Sequence, residues 1–268
     1  MKSSIVLIVI CIFSLYIWNC VDVDLTNFLD EQPTKPILIT HIISSFRKEN
    51  AINRTFESMI ASRDHANFSV QFISVHYEED DHIPPFEFEK YLIHRSHQEI
   101  LPAWNSKKLP FVQDILQVGM KHAVGDIIVF TNNDIILNQH FYSWVENAMK
   151  SRDSLTINKR LLINVPEDLP LREYYVIGGV PHGGYDCFVW KRELNSKINL
   201  GRMFVGFPPW GKSLRALLYR ISKHSDEFDS WSNLTFHFGN ERSWEAKTRE
   251  NRIFKATNLG LQREWMQR

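Results

Sequence analysis

The sequence predicts an α/β fold in which helices cover an open, largely parallel sheet. Three apolar, β-branched runs indicate strands that are buried on both faces, and they span residues 37–44, 70–75 and 126–131. Segments with apolar residues at helical spacing separate these runs, so the chain begins as alternating strands and helices. The 268 residues are enough to bury a large core without disulfides.

The segment before the first strand differs from the rest of the chain. Residues 1–21 carry one charge, Lys2, and the apolar stretch 5–18, which predicts a signal anchor or a signal peptide. No small residues stand where a cleavage site requires them, which favours a retained anchor with the body of the protein in the lumen. The polar residues 22–35 predict a short stem, and residues 36–268 are expected to form a single domain.

A helix and a second strand are predicted after the first strand. Ile52, Phe56 and Met59 recur at helical spacing up to about residue 62, and Ser45 is the predicted N-cap of this helix. The run 70–75 then completes a β-α-β unit, which is how a sheet with parallel neighbours begins.

A second helix leads into the third strand. This helix is predicted over 109–123, with Pro110 in its first turn and Gly125 just beyond its end. The strand 126–131 follows, and the polar turn 132–134 stands directly at its carboxyl end. Open parallel sheets bind their ligands at this edge, so the turn is the first candidate for a functional site.

The second half of the sequence has weaker periodicity and no internal repeat. Its pattern predicts, in order, a helix 141–149, short strands 161–165 and 176–177, a flexible glycine-rich loop 178–184, a strand 186–191, a helix 214–221 and an extended segment 234–238. No second linker interrupts these elements, which is consistent with one domain.

The most informative motif is the polar turn together with the elements before it. A helix ending in Ala123-Val-Gly-Asp, a buried strand and the turn Asn132-Asn133-Asp134 resemble the centre of the GT-A nucleotide-sugar glycosyltransferases, in which an Asp-x-Asp element follows that strand. The resemblance implies a GT-A type, Rossmann-like open mixed sheet flanked by helices. It also implies that Asp134 binds a metal ion and that Asn132 contacts the donor ribose. Without the resemblance, the same residues are a common polar turn.

A divalent cation has a clear purpose at such a site. The diphosphate of a nucleotide sugar gains negative charge as it leaves, and a hard cation held by carboxylate oxygens neutralises that charge as a Lewis acid. The resemblance therefore implies Mn²⁺ or Mg²⁺ as cofactor and a nucleotide-sugar donor, most naturally a UDP-sugar.

The C-terminal segment from Thr235 to Trp244 resembles the His-x-x-Gly-x-x-Lys-Pro-Trp segment of glycogenin-like transferases, although it is one residue shorter and lacks the proline. The resemblance implies that His237 completes the metal site and that Gly239 and Arg242 hold the donor diphosphate. A guanidinium suits phosphate at least as well as lysine, because it can donate two hydrogen bonds at once. The alternative is that His237 is a structural histidine.

The resemblance also assigns residues to the nucleoside and to the acceptor. Ser45 and Glu78 follow the first two strands, where the family binds base and ribose, and Asp114 corresponds to a polar residue that contacts the donor. Asp186, after the glycine-rich loop, is the candidate acid or base near the acceptor hydroxyl. The segment around Trp210 lacks the carboxylate that many inverting members carry. The sequence therefore leaves open whether Asp186 replaces that carboxylate or the reaction retains configuration.

Composition and short motifs narrow the function class. The chain has 31 basic and 31 acidic residues, and this balance argues against nucleic acid as the main partner. Three N-glycosylation patterns, at Asn53, Asn67 and Asn233, support a lumenal position. We therefore expect a type II membrane protein of the Golgi or ER, with secretion as the alternative, that transfers sugar to a carbohydrate-bearing acceptor.

Two other functions are compatible with the sequence. One is a non-catalytic lumenal or secreted module that binds glycans through its aromatic residues. Metal-dependent hydrolysis of UDP-sugars distinguishes this module from an enzyme, since an enzyme catalyses it and a binding module does not. The other is a nucleotidyltransferase, which shares the sheet and the need for a metal. Residues 44–48 lack the glycines that such enzymes usually place after the first strand, which counts against this second alternative.

Overall fold

One mixed sheet forms the centre of the molecule in the residues that the computed structural model describes, which are 37–45, 52–80, 84–228, 233–238 and 248–267. Within these ranges the nine strands are β1 (Ile37–Ser44), β2 (Ser69–His76), β3 (Phe88–Leu92), β4 (Ile127–Thr131), β5 (Ile135–Leu137), β6 (Ser154–Leu162), β7 (Val180–Lys191), β8 (Ser225–Phe228) and β9 (Thr235–Phe238). The helices are α1 (Ile52–Asp64), α2 (Val112–His122), α3 (Phe141–Met149), α4 (Leu171–Ile177), α5 (Trp210–Ile221) and α6 (Arg249–Met266), with 3₁₀ turns at His97–Glu99 and Arg192–Lys197.

The strand order combines a parallel half with an antiparallel half. It is β3-β2-β1-β4-β7-β6-β9-β5, and β8 also pairs with β6. The first four strands in this order are parallel, whereas β7 runs antiparallel to both of its neighbours, β4 and β6. Beyond them, β9 is parallel to β6 and antiparallel to β5. This sheet, with helices on both faces, confirms the predicted fold class.

Burial on both faces explains why the central strands read as continuous apolar runs. On β1, Ile39 packs against the layer that contains α1 and α3, and Ile42 packs against the layer that contains α2 and α5. On β4, Val129 and Phe130 alternate between the same two layers. Each such buried side chain stabilises the fold by about 1.5–3 kcal/mol, so the sheet requires a helical layer on each side.

The register of the parallel strands brings their carboxyl ends to one edge. Ile43 of β1 lies opposite both Ser74 of β2 and Thr131 of β4. Ser45 and Asn132 therefore leave the sheet at the same edge, where α/β sheets of this kind bind ligands.

The four predicted helices at 52–62, 109–123, 141–149 and 214–221 are confirmed, with three corrections at their starts, the first being that α5 already begins at Trp210. Ser45 does not cap α1, because α1 begins seven residues later and the Ser45 hydroxyl bonds the Ser74 hydroxyl at 2.7 Å. Pro110 lies outside α2, because Phe111 forms a β-bridge with Phe204 that keeps the chain extended up to the helix.

The prediction of a flexible loop at 178–184 is wrong. β7 begins at Val180, because this region pairs with β6, in which Leu161 lies opposite Val180. The Arg160 guanidinium also donates hydrogen bonds to the carbonyls of the two glycines before β7, including Gly179 at 2.8 Å. Pairing between strands thus overrides the local preference of glycine and proline for turns.

Other local predictions in the second half need correction as well. The predicted strand 176–177 is the end of α4, and the predicted strand 161–165 is the end of a longer strand, β6, that stops at Leu162. The predicted strand 186–191 is the second half of β7, and the extended segment 234–238 contains β9. Sequence periodicity does not predict β3, β5, β8, α4 or α6.

The predicted anchor or signal peptide and the predicted stem lie outside the described residues. Among the helices that the structure does describe, none combines the length and the apolar character of a membrane span. Asn53, Asn67 and Asn233, the three glycosylation candidates, are all exposed to solvent.

Gly125 allows the turn after α2 to lie directly on β1. Its amide donates a hydrogen bond to Oγ1 of Thr40 at 2.9 Å. A Cβ at this position would stand 2.6 Å from the carbonyl carbon of Ile39 and 2.6 Å from the amide nitrogen of Thr40. These are backbone atoms that cannot move aside as a flexible side chain can, so the glycine is required by packing.

We expect Gly125→Ala to lower the free energy of unfolding by about 1–3 kcal/mol, because the added methyl overpacks the contact with β1. Gly260→Ala in α6 is the matched control, since no atom lies within 4 Å of a Cβ at that position. Alanine favours a helix over glycine by about 1 kcal/mol, so this control should be neutral or stabilising. Urea unfolding compares the two variants, and equal stability of both would contradict the close contact at Gly125.

A fully buried histidine on β1 is neutral in the folded protein. The Tyr142 hydroxyl lies 2.7 Å from Nδ1 of His41, and the Thr131 hydroxyl lies 2.9 Å from Nε2. A neutral imidazole donates one hydrogen bond and accepts one, so these hydroxyls satisfy both nitrogens. Burial lowers the pKa of His41 from 6.5 to about 3.

His41 should make stability depend on pH. Its folded-state pKa of about 3 lies below the unfolded value of 6.5, so its contribution is complete above pH 6.5 and is lost as the pH falls toward 3. The expected slope is about 1.4 kcal/mol per pH unit. Urea unfolding at decreasing pH measures the free energy of unfolding of wild type and of His41→Gln. We expect the free energy of wild type to fall, relative to that of the variant, with this slope. Parallel curves for the two proteins would show that His41 is not the responsible group.

Candidate active site

Five polar side chains meet beside the carboxyl end of β4. They are Asn132 after β4, Asp134 before β5, Lys159 in β6, Asp186 in β7 and His237 in β9. Side-chain contacts of 2.5–3.1 Å join Asp134 to His237, and they join Asp186 to both Lys159 and Asn132. Of the predicted site residues, the structure therefore brings together Asn132, Asp134, Asp186 and His237.

The pairing of β5 with β9 explains how the first two residues of the cluster meet. Ile135 of β5 lies opposite His237 of β9. On its other side, β9 pairs with β6, where Leu161 lies opposite His237. Asp134, one residue before Ile135, is thus next to His237 although 103 residues separate them in the chain.

Irregular pairing between β6 and β7 explains the remaining part of the cluster. Cys187 lies opposite Ile157 and Tyr185 lies opposite Asn158, so Asp186 is an extra residue in β7. The next pair joins Arg160 to Pro181, which leaves Lys159 opposite three residues of β7. Bulges of this kind redirect side chains next to functional sites, and here they bring Lys159 and Asp186 into contact.

Asp134 and His237 form a partly buried hydrogen-bonded pair. Nε2 of His237 lies 3.1 Å from Oδ2 of Asp134. Burial raises the pKa of Asp134. The hydrogen bond and charge of His237 and the charge of Lys159 together lower this pKa by more than burial raises it, so it lies below its ordinary value. For His237, burial lowers the pKa, but the Asp134 hydrogen bond and charge raise it above its ordinary value.

Lys159, Asp186 and Asn132 form the second part of the cluster. Nζ of Lys159 lies 2.5 Å from Oδ2 of Asp186, and both side chains are largely buried, at 14% and 15% exposure. Nδ2 of Asn132 donates to Oδ1 of the same carboxylate at 2.8 Å. Burial lowers the pKa of Lys159, but the charges of Asp186 and Asp134 raise it above its ordinary value, so the ammonium stays charged.

The residues predicted to bind the nucleoside lie at the same sheet edge but not in this cluster. Ser45 is buried and contacts Ser74, and Glu78 is exposed in the turn after β2. Asp114, in the first turn of α2, pairs with Arg95 at 3.3 Å, and burial raises the pKa of its carboxyl. No contact within the described residues links these three to Asp134 or Asp186, so their roles stay predictions.

Two predicted diphosphate contacts, Gly239 and Arg242, lie outside the described residues. The member of the cluster that sequence patterns do not predict is Lys159. No local signal marks it, because the segment 154–162 also contains Ser154, Thr156, Asn158 and Arg160 among its apolar residues.

No protein-family model and no curated protein matches the sequence. Two solved structures similar to this chain are crystal structures of residues 1–349 of TarS from S. aureus, one in complex with UDP-GlcNAc. The complex has a TM-score of 0.50 at 11% identity, and the match covers 84% of this chain and 72% of the 1–349 chain. The second has a TM-score of 0.51 at 12% identity and covers 84% and 71%. The fold is of the GT-A type.

In this GT-A type fold, Asp134 and His237 are suitable as two of the ligands of a divalent cation. Oδ1 of Asp134 and Nδ1 of His237 are shielded from solvent and have no hydrogen-bond partner in the described part of the chain. Carboxylate oxygen and imidazole nitrogen suit Mn²⁺, and Mg²⁺ commonly binds one or two carboxylates plus phosphates and water. Among the described residues no group of three His, Cys, Asp or Glu side chains can hold a metal.

We expect Mn²⁺ with UDP to raise the unfolding temperature of wild type by more than that of Asp134→Asn. A ligand at one hundred times its Kd stabilises a protein by about 2.7 kcal/mol, which thermal-shift measurements resolve easily. Asp126→Asn is the matched control, because Asp126 is exposed and pairs with Arg192 away from the cluster. If Asp134→Asn responds as wild type does, Asp134 is not a metal ligand.

Proposed function

We propose that this protein is a metal-dependent glycosyltransferase that moves a sugar from a nucleotide-diphosphate donor to a glycan, glycoprotein or glycolipid acceptor in the secretory pathway. The observation that carries the proposal is the cluster of Asp134, His237, Lys159 and Asp186 beside the carboxyl end of β4 in a GT-A type fold. Ligands bind at this edge of open α/β sheets. The UDP-GlcNAc complex of TarS supports a UDP-sugar as the donor class.

Asp134 and His237 are the proposed protein ligands of Mn²⁺ or Mg²⁺. A bound divalent cation supplies Lewis-acid neutralisation of the charge that develops on the departing diphosphate. The lowered pKa of Asp134 favours its carboxylate form, whereas the raised pKa of His237 means that a cation competes with a proton for the imidazole.

Other residues near Asp134 and His237 are proposed to contact the rest of the donor. Asn132 is proposed to contact the ribose, and its side-chain amide nitrogen donates a hydrogen bond to Asp186. Ser45, Glu78 and Asp114 are proposed for the nucleoside at the same sheet edge. The predicted roles of Gly239 and Arg242 at the diphosphate complete the donor site.

Asp186 is proposed to face the acceptor hydroxyl. Lys159 and Asn132 each hold one of its oxygens, so the position of the carboxylate is fixed. Each carboxylate oxygen has a second lone pair, which is free to accept the proton of a hydroxyl. A reaction that retains configuration does not require this base, and the anomeric configuration of the transferred sugar separates the two stereochemical outcomes.

The proposed setting is the lumen of the Golgi or ER, with the apolar N-terminal residues as a membrane anchor and a secreted form as the alternative. The sequence of residues 1–21 supports the anchor. The exposure of Asn53, Asn67 and Asn233 supports glycosylation, since a buried asparagine could not carry a glycan in the folded protein.

The proposal is tested with the purified full-length chain and a panel of UDP-, GDP- and CMP-sugars, with and without Mn²⁺. We expect metal-dependent hydrolysis or transfer from one class of donor. Asp134→Asn should lower kcat by at least about 100-fold, since it removes electrostatic stabilisation of the leaving group. Asp126→Asn should retain wild-type activity.

The two alternative functions give different results in the same experiment. A glycan-binding module binds a glycan array but hydrolyses no donor. A nucleotidyltransferase releases pyrophosphate from a nucleoside triphosphate and a sugar phosphate. If wild type consumes no nucleotide sugar under any metal condition, the transferase proposal is wrong.

A further inference from the structure

Lys159 places a buried, charged ammonium group inside the candidate site. Its Nζ contacts Oδ2 of Asp186 at 2.5 Å, and this is its one polar partner within the described residues. An ammonium has three hydrogen-bond donors, so the contact with Asp186 leaves others for a ligand. Burying a charge with incomplete pairing is unfavourable, and replacing a buried ion pair by apolar side chains often costs a fold nothing. Stability of the sheet therefore does not explain Lys159.

The local backbone makes room for this side chain. Lys159 lies opposite the three residues His182, Gly183 and Gly184 of β7, where regular pairing would place one residue. A Cβ on Gly184 would stand 3.2 Å from Cε of Lys159 and 2.8 Å from Nδ1 of His182. The lysine is thus accommodated by a widened strand and by a glycine that leaves space for its end.

The charges around Lys159 indicate what it binds. Its charge acts on both Asp134 and His237, so it lies within electrostatic range of the proposed metal ligands. A fixed cation there weakens the binding of a divalent ion to Asp134 by like-charge repulsion. The same charge attracts an anion that enters the site. A diphosphate is such an anion, and one divalent ion bound to a single carboxylate does not neutralise it completely.

Resting on the proposed transferase function, we propose that Lys159 is a donor-binding residue whose ammonium contacts the diphosphate of the nucleotide sugar. Asp186 holds the ammonium in place. The neutralisation of the diphosphate is then shared between a permanent cation in β6 and the divalent ion at Asp134 and His237. Donor binding should consequently not be lost completely when the metal is removed.

The test measures nucleotide binding instead of turnover. Full-length wild type, Lys159→Met and Lys159→Arg are titrated with UDP by calorimetry, in Mn²⁺ and in EDTA, and with uridine by ligand-observed NMR. We expect Lys159→Met to weaken UDP binding at least about tenfold in both buffers and to leave uridine binding unchanged, because only the phosphates meet the ammonium. Lys159→Arg should stay within about threefold of wild type.

Two further variants separate binding from folding. Lys191→Met is the matched control, since Lys191 of β7 also pairs with an aspartate, Asp153, at 3.0 Å, and should bind UDP as wild type does. Lys159→Met leaves the Asp186 carboxylate buried without its cation, so the double variant Lys159→Met/Asp186→Asn removes both charges. It should fold and bind UDP as weakly as Lys159→Met.

The outcomes distinguish the two levels of the proposal. In one contrary outcome wild type binds UDP and Lys159→Met binds it equally well, and in another Lys159→Met loses UDP and uridine binding to the same extent. Either result shows that Lys159 does not contact the diphosphate. The transferase proposal is unaffected by both results. If wild type binds neither UDP nor GDP when both are titrated in the two buffers, both the transferase proposal and the role of Lys159 are overturned.

Discussion

The antiparallel strand β7 is the element on which the rest of the structure depends. It pairs with β4 on one side and with β6 on the other, so it joins the parallel half of the sheet to the antiparallel half. Its C-terminal part, which includes Phe188 and Trp190, is fully buried and belongs to the core. Its middle part departs from regular pairing and supplies Asp186. One strand thus provides both the stability of the central sheet and a polar residue of the candidate site.

The departure from regular pairing has a simple geometric effect. Tyr185 and Phe188 are three residues apart, yet both pack against the layer of α2 and α5, which a strand with a period of two does not allow. The extra residue between them, Asp186, is free of this alternation and turns toward Lys159 and Asn132. A polar group can therefore stand in the middle of a sheet without opening the core on either face.

The sequence predicts those parts of the molecule in which burial leaves a regular pattern. β1, β4 and α3 have continuous or periodic apolar residues, and their predicted positions agree with the structure to within a residue. Asp134 is predictable as well, because it follows a buried parallel strand. α6 escapes prediction because its inward residues are Asn251, Phe254 and Asn258, so polar contacts replace an apolar stripe. Asn258 fixes this helix by bonding the backbone of residues 204 and 207.

Most of what the sequence does not predict depends on partners far along the chain. β7 extends through a glycine-rich segment because β6 is present to pair with it, and no local pattern records that pairing. β3 is short and mostly exposed, so it has no periodic burial to detect. The position of Lys159 is equally unpredictable, since Asp186 and Asp134 come from distant parts of the chain and nothing in the mixed polar and apolar sequence of β6 points to them.

The bulge at Asp186 also bears on how such a protein can change during evolution. Because Asp186 is the extra residue between two pairs that are otherwise in register, deletion of its single codon extends the regular ladder between β6 and β7. The sheet keeps its core in such a descendant, while Lys159 and Asn132 lose their shared partner. A fold of this kind can therefore lose the contacts between Asp186, Lys159 and Asn132 in one genetic step while its strands stay paired.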